Sequence, residues 1–478
     1  MNRPLFLPQT PVGVQSNARE KQIFDLLRNL TITQVAGAFD QGFWTRDVMQ
    51  ATQSSPLIWH ASLAFSAMHH KMKLGALPGD RKMTMAEDYY TIALRQYNKA
   101  IQHLIPLTSK KHMTYADKET VLLASVLFVG ICCLQRNIKH AKLHIENAVE
   151  LFYQWEFWQY EDSPGAVVRP RSLLQLVTTF QYQLSDMGGA KSAAVQRQIA
   201  MTQVTISPKP FTTVTEAYFE YLHLHFGRAM LHPDNDKGLY PMREKSMAYT
   251  ACWNRWRDKF LALEKSQEGS KEGSPELDME ALHRLRLLVD CEDLCVSVRR
   301  NRTPETLIKS IPKMALFVDA AEEILERESM AGDIYQGSSP VFSFSLSICE
   351  VLRMIGLTTN SIHLRRRIVT ILKELPRQDG FLDGQLSRFL IEAKMAFDKE
   401  HANTEVPEDF AQCNCVRGLF VCQTHKLADL ILDFSEEEAV NMRILNTIHM
   451  AKGLPGKTYR FEWEPWIRPV RDNSESSG

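Results

Sequence analysis

Apolar residues recur at helical spacing along most of the chain, most densely between Ser55 and Trp158. In SPLIWHASLAFSAMHHKMKLG, residues Leu57, Ala61, Ala64, Phe65 and Met68 fall three or four apart, which lines one helix face with apolar side chains. Ser54 or Ser55 ahead of Pro56 supplies a cap and a first-turn proline. A second helix is expected from about Met85 to Leu104 on Tyr89, Ala93, Tyr97, Ala100 and Leu104, with Pro106 stopping it. Lys118 to Leu134 carries almost no charge after Glu119, which predicts a helix buried all round. Asn137 caps a fourth, presenting Ala141, Ile145, Ala148 and Phe152. The segments ALRQYNKAIQHL and AKLHIENAVELF match in their small residues, Ala93 with Ala141 and Ala100 with Ala148. Small residues on a stripe let helices approach closely, so the stretch reads as an array of helical hairpins.

The same periodicity predicts helices at Arg19 to about Val35, Ser172–Gln183, Met242–Glu264, Met279–Arg300, Val341–Ile355, Ser361–Glu374 and Leu386–Glu400. A short helix starts at Phe43–Trp44. Thr213-Val-Thr-Glu216 looks like a capping box ahead of Tyr218–Met230, and Thr303 caps Pro304–Arg327. After Pro407 the pattern changes. VRGLFVCQ and KLADLILDF flank Thr424-His425 as a β-hairpin, and TYRFEWEPW adds a third strand. The expected organisation is a flexible segment over 1–16, a helical domain over 17–400 with internal linkers near 187–210 and 264–278, and a 401–478 extension ending in a disordered tail. The fold class is mainly α: packed helical hairpins with a small C-terminal β-hairpin element.

Lys and Arg together number 56, as do Asp and Glu, so the net charge is zero. That balance argues against strong nucleic-acid affinity of the whole chain, which would need a basic surface. No signal-peptide pattern or membrane-length apolar run occurs. Nine cysteines in 478 residues do not form a disulfide framework, so an intracellular, reduced protein is expected.

The order FDQGFW (39–44), LIWHASLAFSAMHH (57–70), ALRQYNKAIQHL (93–104) and VLLASVLFVGICCLQRNIKHAKLHIENAVELF (121–152) resembles the regulatory domain of fungal binuclear zinc-cluster transcription factors. RRRIVTILKELPRQDGFLDGQLSRFLIEAKMAF (365–397) is similar to its late part, so the likeness covers about Ile23 to Phe397. The family's DNA-binding module has six cysteines on two zinc ions. No cysteine precedes Cys132 here, and residues 1–16 hold one Arg and no Lys. The resemblance therefore implies the regulatory domain and not the zinc cluster.

Candidate chemistry is sparse. No nucleophile elbow, H-E-x-x-H, phosphate loop or dinucleotide fingerprint is present, and neither catalytic nor cofactor-binding residues are expected. Cys413-x-Cys415-x6-Cys422-x2-His425 is the only local set with four metal-type ligands. Its C-x-C opening departs from the usual two-to-four spacing, so the set is read as buried strand cysteines with no metal assigned. Cys132–Cys133 and the i, i+4 pair Cys291 and Cys295 read as core packing. His69–His70 and His223-x-His225 point in different directions on their helices, and His60 reads as a satisfied histidine. Arg299–Arg302 and Arg365–Arg367 read as structural clusters. The aromatic and Met-rich stripe of Trp59, Phe65, Met68 and Phe128 is an ordinary core, or the wall of a pocket for a small apolar effector.

The resemblance implies a nuclear transcriptional regulator acting through protein contact. Such regulators often govern metabolic or secondary-metabolite gene sets. The expected partners are proteins, a DNA-bound transcription factor or a second copy, with DNA reached only indirectly. The chain is either recruited by such a partner or derived from a zinc-cluster factor lacking its DNA-binding module. The competing readings are a stand-alone small-ligand-binding protein or an enzyme on the same helical scaffold.

Overall fold

The computed structural model describes residues 10–77, 80–160, 167–184, 206–227, 242–268, 276–330, 340–402, 404–436 and 439–464. Most of the 187–210 linker, residues 269–275 of the 264–278 linker, most of the flexible 1–16 segment and the C-terminal tail lie outside the described residues, while the two ends of the 264–278 linker are helical.

Helix α1 (Ala18–Leu26) starts on a capping box. The Glu20 amide donates to Asn17 Oδ1 at 2.9 Å, and the Asn17 amide donates to Glu20 Oε2 at 3.2 Å. A π turn (Leu27–Thr31) widens the helix before α2 (Ile32–Ala36). A second π turn (Phe43–Val48) leads into α3 (Met49–Ser54). The hairpin array follows: α4 (Pro56–Gly75), α5 (Asp80–Thr108), α6 (Tyr115–Leu134) and α7 (Ile138–Gln154), then α8 (Pro170–Leu184). Ser55 and Asn137 cap α4 and α7 as expected. The small residues Ala93, Ala100, Ala141 and Ala148 are all buried, and Tyr97 Oη meets His144 Nε2 at 3.2 Å between α5 and α7.

One boundary is corrected. Helix α5 does not stop at Pro106 but runs to Thr108. Proline removes one donor near the end of a helix, where few bonds remain to lose. The Thr108 and Ser109 hydroxyls then donate to the Leu104 and Ile105 carbonyls at 3.1 and 2.7 Å, so the last turn closes through side chains.

The second half contains α9 (Val214–Gly227), α10 (Met242–Glu268), α11 (Glu276–Arg300), α12 (Pro304–Met330), α13 (Cys349–Thr358), α14 (Ile362–Glu374) and α15 (Gly384–His401). The helix expected over Val341–Ile355 is half wrong. Val341–Ser343 is strand β1, and the helix begins only at Cys349. β1 pairs in parallel with β2 (Arg377–Asp379), which turns through Gly380 at φ +59 into antiparallel β3 (Leu382–Asp383). This small sheet sends Phe342 and Phe344 into the hairpin array, where they contact the Phe65 ring at 5.9 and 5.7 Å. That aromatic pocket outweighs the helical spacing of the local sequence.

The C-terminal sheet is antiparallel in the order β4 (Leu427–Asp433), β5 (Ala439–Asn446), β6 (Lys457–Glu462), with α16 (Thr447–Lys452) between the last two. Two expected strands hold their places, at KLADLILDF and TYRFEWEPW. The third does not. VRGLFVCQ is a tight turn around Gly418 (φ +73) closed by a single Val416–Phe420 bridge, and β5 supplies the strand instead. Phe461 stacks on Phe389 of α15 at 4.9 Å, which fixes the sheet to the helical body.

The buried side chains form two cores. One joins α1–α8 to β1, a face of α15 and the inner face of the C-terminal sheet. The other joins α9–α14 and includes Phe420 and Cys422 of the segment before β4.

Candidate functional site

The segment between α15 and β4 has no helix or strand of its own among the described residues. Loops this long inside a compact body are uncommon unless something else holds them. Here four side chains of the segment come together. The ligand atoms of Cys413, Cys415, Cys422 and His425 all lie within 4.8 Å of one another. The Gly418 turn brings the Cys415 and Cys422 ends together, and the Cys422 amide donates to Cys415 Sγ at 3.2 Å. His425 Nδ1 faces Cys422 Sγ at 3.2 Å and Cys415 Sγ at 3.5 Å. Cys422 and His425 are buried, whereas Cys413 and Cys415 are half-buried.

The imidazole is oriented from behind. Thr404 Oγ1 donates its hydrogen to the His401 carbonyl at 3.0 Å, so the same oxygen accepts from His425 Nε2 at 3.1 Å. That assignment leaves the Nδ1 lone pair aimed at the sulfurs. On the opposite side, Arg302 reaches over from the α11–α12 joint. Its Nη2 donates to Asn360 Oδ1 at 3.1 Å and its Nε to the Val421 carbonyl at 3.5 Å. The sequence reading of these residues as strand cysteines is therefore corrected: they belong to a turn, and their side chains converge. Thr404 and Arg302 carry no signal in the sequence for a role here, because only folding brings them to the cluster.

The other candidates separate. His69 and His70 are both fully buried with rings 6.1 Å apart and inclined at 68°. Burial, and then the nearby Lys73 charge, holds both imidazoles below their ordinary value, His70 at about 4. His60 Nδ1 lies 2.6 Å from Gln96 Oε1, while Gln96 Nε2 donates to Glu20 Oε1 at 2.6 Å. This relay ties α4 and α5 to the cap of α1. Cys132, Cys133, Cys291 and Cys295 are buried among apolar neighbours in the two cores.

His225 was legible only as half of a non-convergent pair, yet it sits in a buried ionic group. Its Nδ1 lies 2.7 Å from Glu292 Oε2 and its Nε2 lies 3.5 Å from Glu350 Oε1, and Arg353 bonds Glu350 through two nitrogens. Burial opposes the imidazolium, but the two carboxylates overcome it and lift His225 to about 9. The partners lie on α11 and α13, too far off in sequence for spacing to reveal.

Part of each basic cluster is engaged within the protein, while Arg300 and Arg366 are exposed. Arg365 pairs with Asp398 at 2.8 Å inside the fold, and Arg367 pairs with Asp319 and Glu322 on α12. An open cleft of about 680 Å³ lies where the two halves meet, lined by Asp40, Arg169, Arg171, Thr213 and Glu216 among others. Arg169 bridges Asp40 and Asp47 at 3.2 and 2.7 Å there. Trp59, Phe65, Met68 and Phe128 are packed into the first core.

Residues 25–168 match the model of the Fungal specific transcription factor domain. The matched domain thus runs from the body of α1 to the lead-in of α8, and holds the hairpin array, both π turns and the His60–Gln96 relay. The likeness read from the sequence extends further, to Phe397, and the match covers its first part. No curated protein and no solved structure gives a match. Among the described residues, no helix is long and apolar enough to cross a membrane.

Proposed function

We propose that this chain is a transcriptional regulator of a fungal nucleus that acts by protein contact and governs a metabolic gene set. The carrying observation is the transcription factor domain over residues 25–168, whose hairpin array is the centre of the larger core. Recruitment by a DNA-bound partner, or through self-association, is the mode we favour. Two facts support it. The chain has no net charge, and strong phosphate binding needs a surplus of cations. Arg302, Arg365 and Arg367, members of its short basic runs, are engaged by Asn360, Asp398, Asp319 and Glu322.

An effector, where one acts, must bind one helical arrangement better than another, since equal affinity shifts nothing. The cleft between Asp40, Arg169 and Glu216 lies at the joint of the two halves, where a shift in packing would be felt by both. Its charged walls suit a polar molecule better than the apolar one expected from the aromatic stripe.

The test pairs genome-wide occupancy of the tagged chain with binding of the purified chain to DNA from the occupied sites. Occupancy in cells without binding by the purified chain is the expected result. Selective binding by the purified chain would overturn recruitment by a partner. Absence of occupancy would overturn the transcriptional reading and favour a stand-alone ligand-binding protein.

A further inference from the structure

We propose that Cys413, Cys415, Cys422 and His425 hold one structural zinc ion, a site separate from any DNA-binding zinc cluster. Three thiolates and one imidazole are a set that zinc takes in closed, four-coordinate structural sites. With Zn–S near 2.3 Å and Zn–N near 2.05 Å, tetrahedral geometry separates sulfur from nitrogen by about 3.6 Å and sulfur from sulfur by about 3.8 Å. The His425 nitrogen stands 3.5 and 3.2 Å from two of the sulfurs, and all four ligand atoms fall within 4.8 Å. Two edges of a tetrahedron around one ion are thus close to drawn, with the other ligand atoms within reach.

The Nδ1 lone pair points at two sulfurs at once, and a single lone pair can accept one well-aligned S–H, not two. A cation at the centre uses that lone pair and both sulfurs together. The surroundings match what structural sites supply around the metal. Thr404 takes the Nε2 hydrogen and fixes the ring, and the Cys422 amide donates to a ligand sulfur. Three thiolates and a divalent ion leave one negative charge, and the Arg302 guanidinium is held against this loop, its Nε donating to the Val421 carbonyl at 3.5 Å. The C-x-C step works because the segment is not helical, and residues two apart in extended chain face the same side.

The site has a clear task. It joins Thr404 just beyond α15, the Arg302 joint between α11 and α12, and the chain entering β4. The loop is also anchored by Phe420 and Cys422 in the second core and by the Thr424 hydroxyl donating to the Ala411 carbonyl at 3.1 Å, and the ion would tie these anchors to Cys413 and Cys415. Binding releases the thiol protons and couples metal to local folding, so a chelator should loosen this segment first.

The experiment uses the full chain purified under reducing conditions. Zinc per chain is measured by mass spectrometry of the elements for the native protein, Cys422→Ser, His425→Ala and the control Cys291→Ser. After zinc removal, cobalt(II) is titrated into the native protein and its absorption recorded. Expected are one zinc per chain in the native protein and the control, none in the two site variants, and thiolate charge-transfer with the intense visible bands of tetrahedral cobalt. Should the site variants fail to fold, the cobalt titration of the native protein decides alone. Native protein without zinc and without tetrahedral cobalt bands overturns the proposal, as does full zinc content in folded Cys422→Ser.

Discussion

Gly130 of α6 and Phe344 just past β1 meet so closely that a Cβ on Gly130 would stand 2.5 Å from Phe344 Cζ. The same Cβ would stand 2.7 Å from Phe65 Cε2. The contact shows that the domain matched at residues 25–168 is completed by chain far downstream. Lys73 of α4 makes the same point, donating to the Pro340 carbonyl at 3.2 Å from a buried position.

Gly130→Ala should therefore destabilise the protein. In an open helix the change would stabilise by about 0.5–1 kcal/mol. Here two aromatic rings must move, and overpacking of this kind costs about 1–3 kcal/mol. The unfolding midpoint should drop, and adding Phe344→Leu should recover part of the loss. An unchanged or raised midpoint in Gly130→Ala would show that the two segments do not meet as described.

His225→Gln should change how stability depends on pH. The native imidazole titrates at about 9, above the roughly 6.5 of an unfolded histidine. A raised value gives stability that is complete below about 6.5 and is lost as pH climbs through 9, with a slope of up to about 1.4 kcal/mol per pH unit. Urea midpoints at pH 6 and pH 9.5 should differ more for the native protein than for the variant, with the variant's deficit largest at pH 6. A deficit that does not change with pH would contradict the charged assignment.

Arg377→Met should be among the costliest single changes. The guanidinium is buried, pairs with Asp379 at 2.8 Å and also bonds Glu328 of α12. Burial lifts Asp379 to about 6 even against the lowering pull of the Arg377 charge. Removing the cation strands the buried Asp379 carboxylate and leaves Glu328 to Arg284, and breaking a buried pair in this way typically costs about 3–5 kcal/mol. Combining it with Glu328→Gln and Asp379→Asn should restore part of the midpoint. A loss under about 1 kcal/mol would contradict the network.

The residues that were legible in sequence are those whose partners are local. Helical spacing located α4, α6 and α7, and Ser55, Asn137 and Thr303 announced their helices because a cap acts over three residues. Pro106 misled because its effect depends on how many turns follow, which a single residue does not tell. Val341–Ser343 misled because the partners that make it a strand, Arg377–Asp379, are distant in the chain. The four residues Cys413, Cys415, Cys422 and His425 were visible as a list of ligands. Their convergence was not, since it rests on the Gly418 turn, the Thr404 hydroxyl and the Arg302 side chain.

The central claim is that the helical body alters transcription through the proteins it contacts. The most direct measurement tethers the chain to a reporter promoter through an unrelated DNA-binding module in a fungal host. Reporter transcript should shift several-fold, up or down, relative to the module alone, and Gly130→Ala should weaken the shift in step with its loss of stability. A fusion that is nuclear, intact and bound at the promoter yet leaves the transcript unchanged would contradict the account.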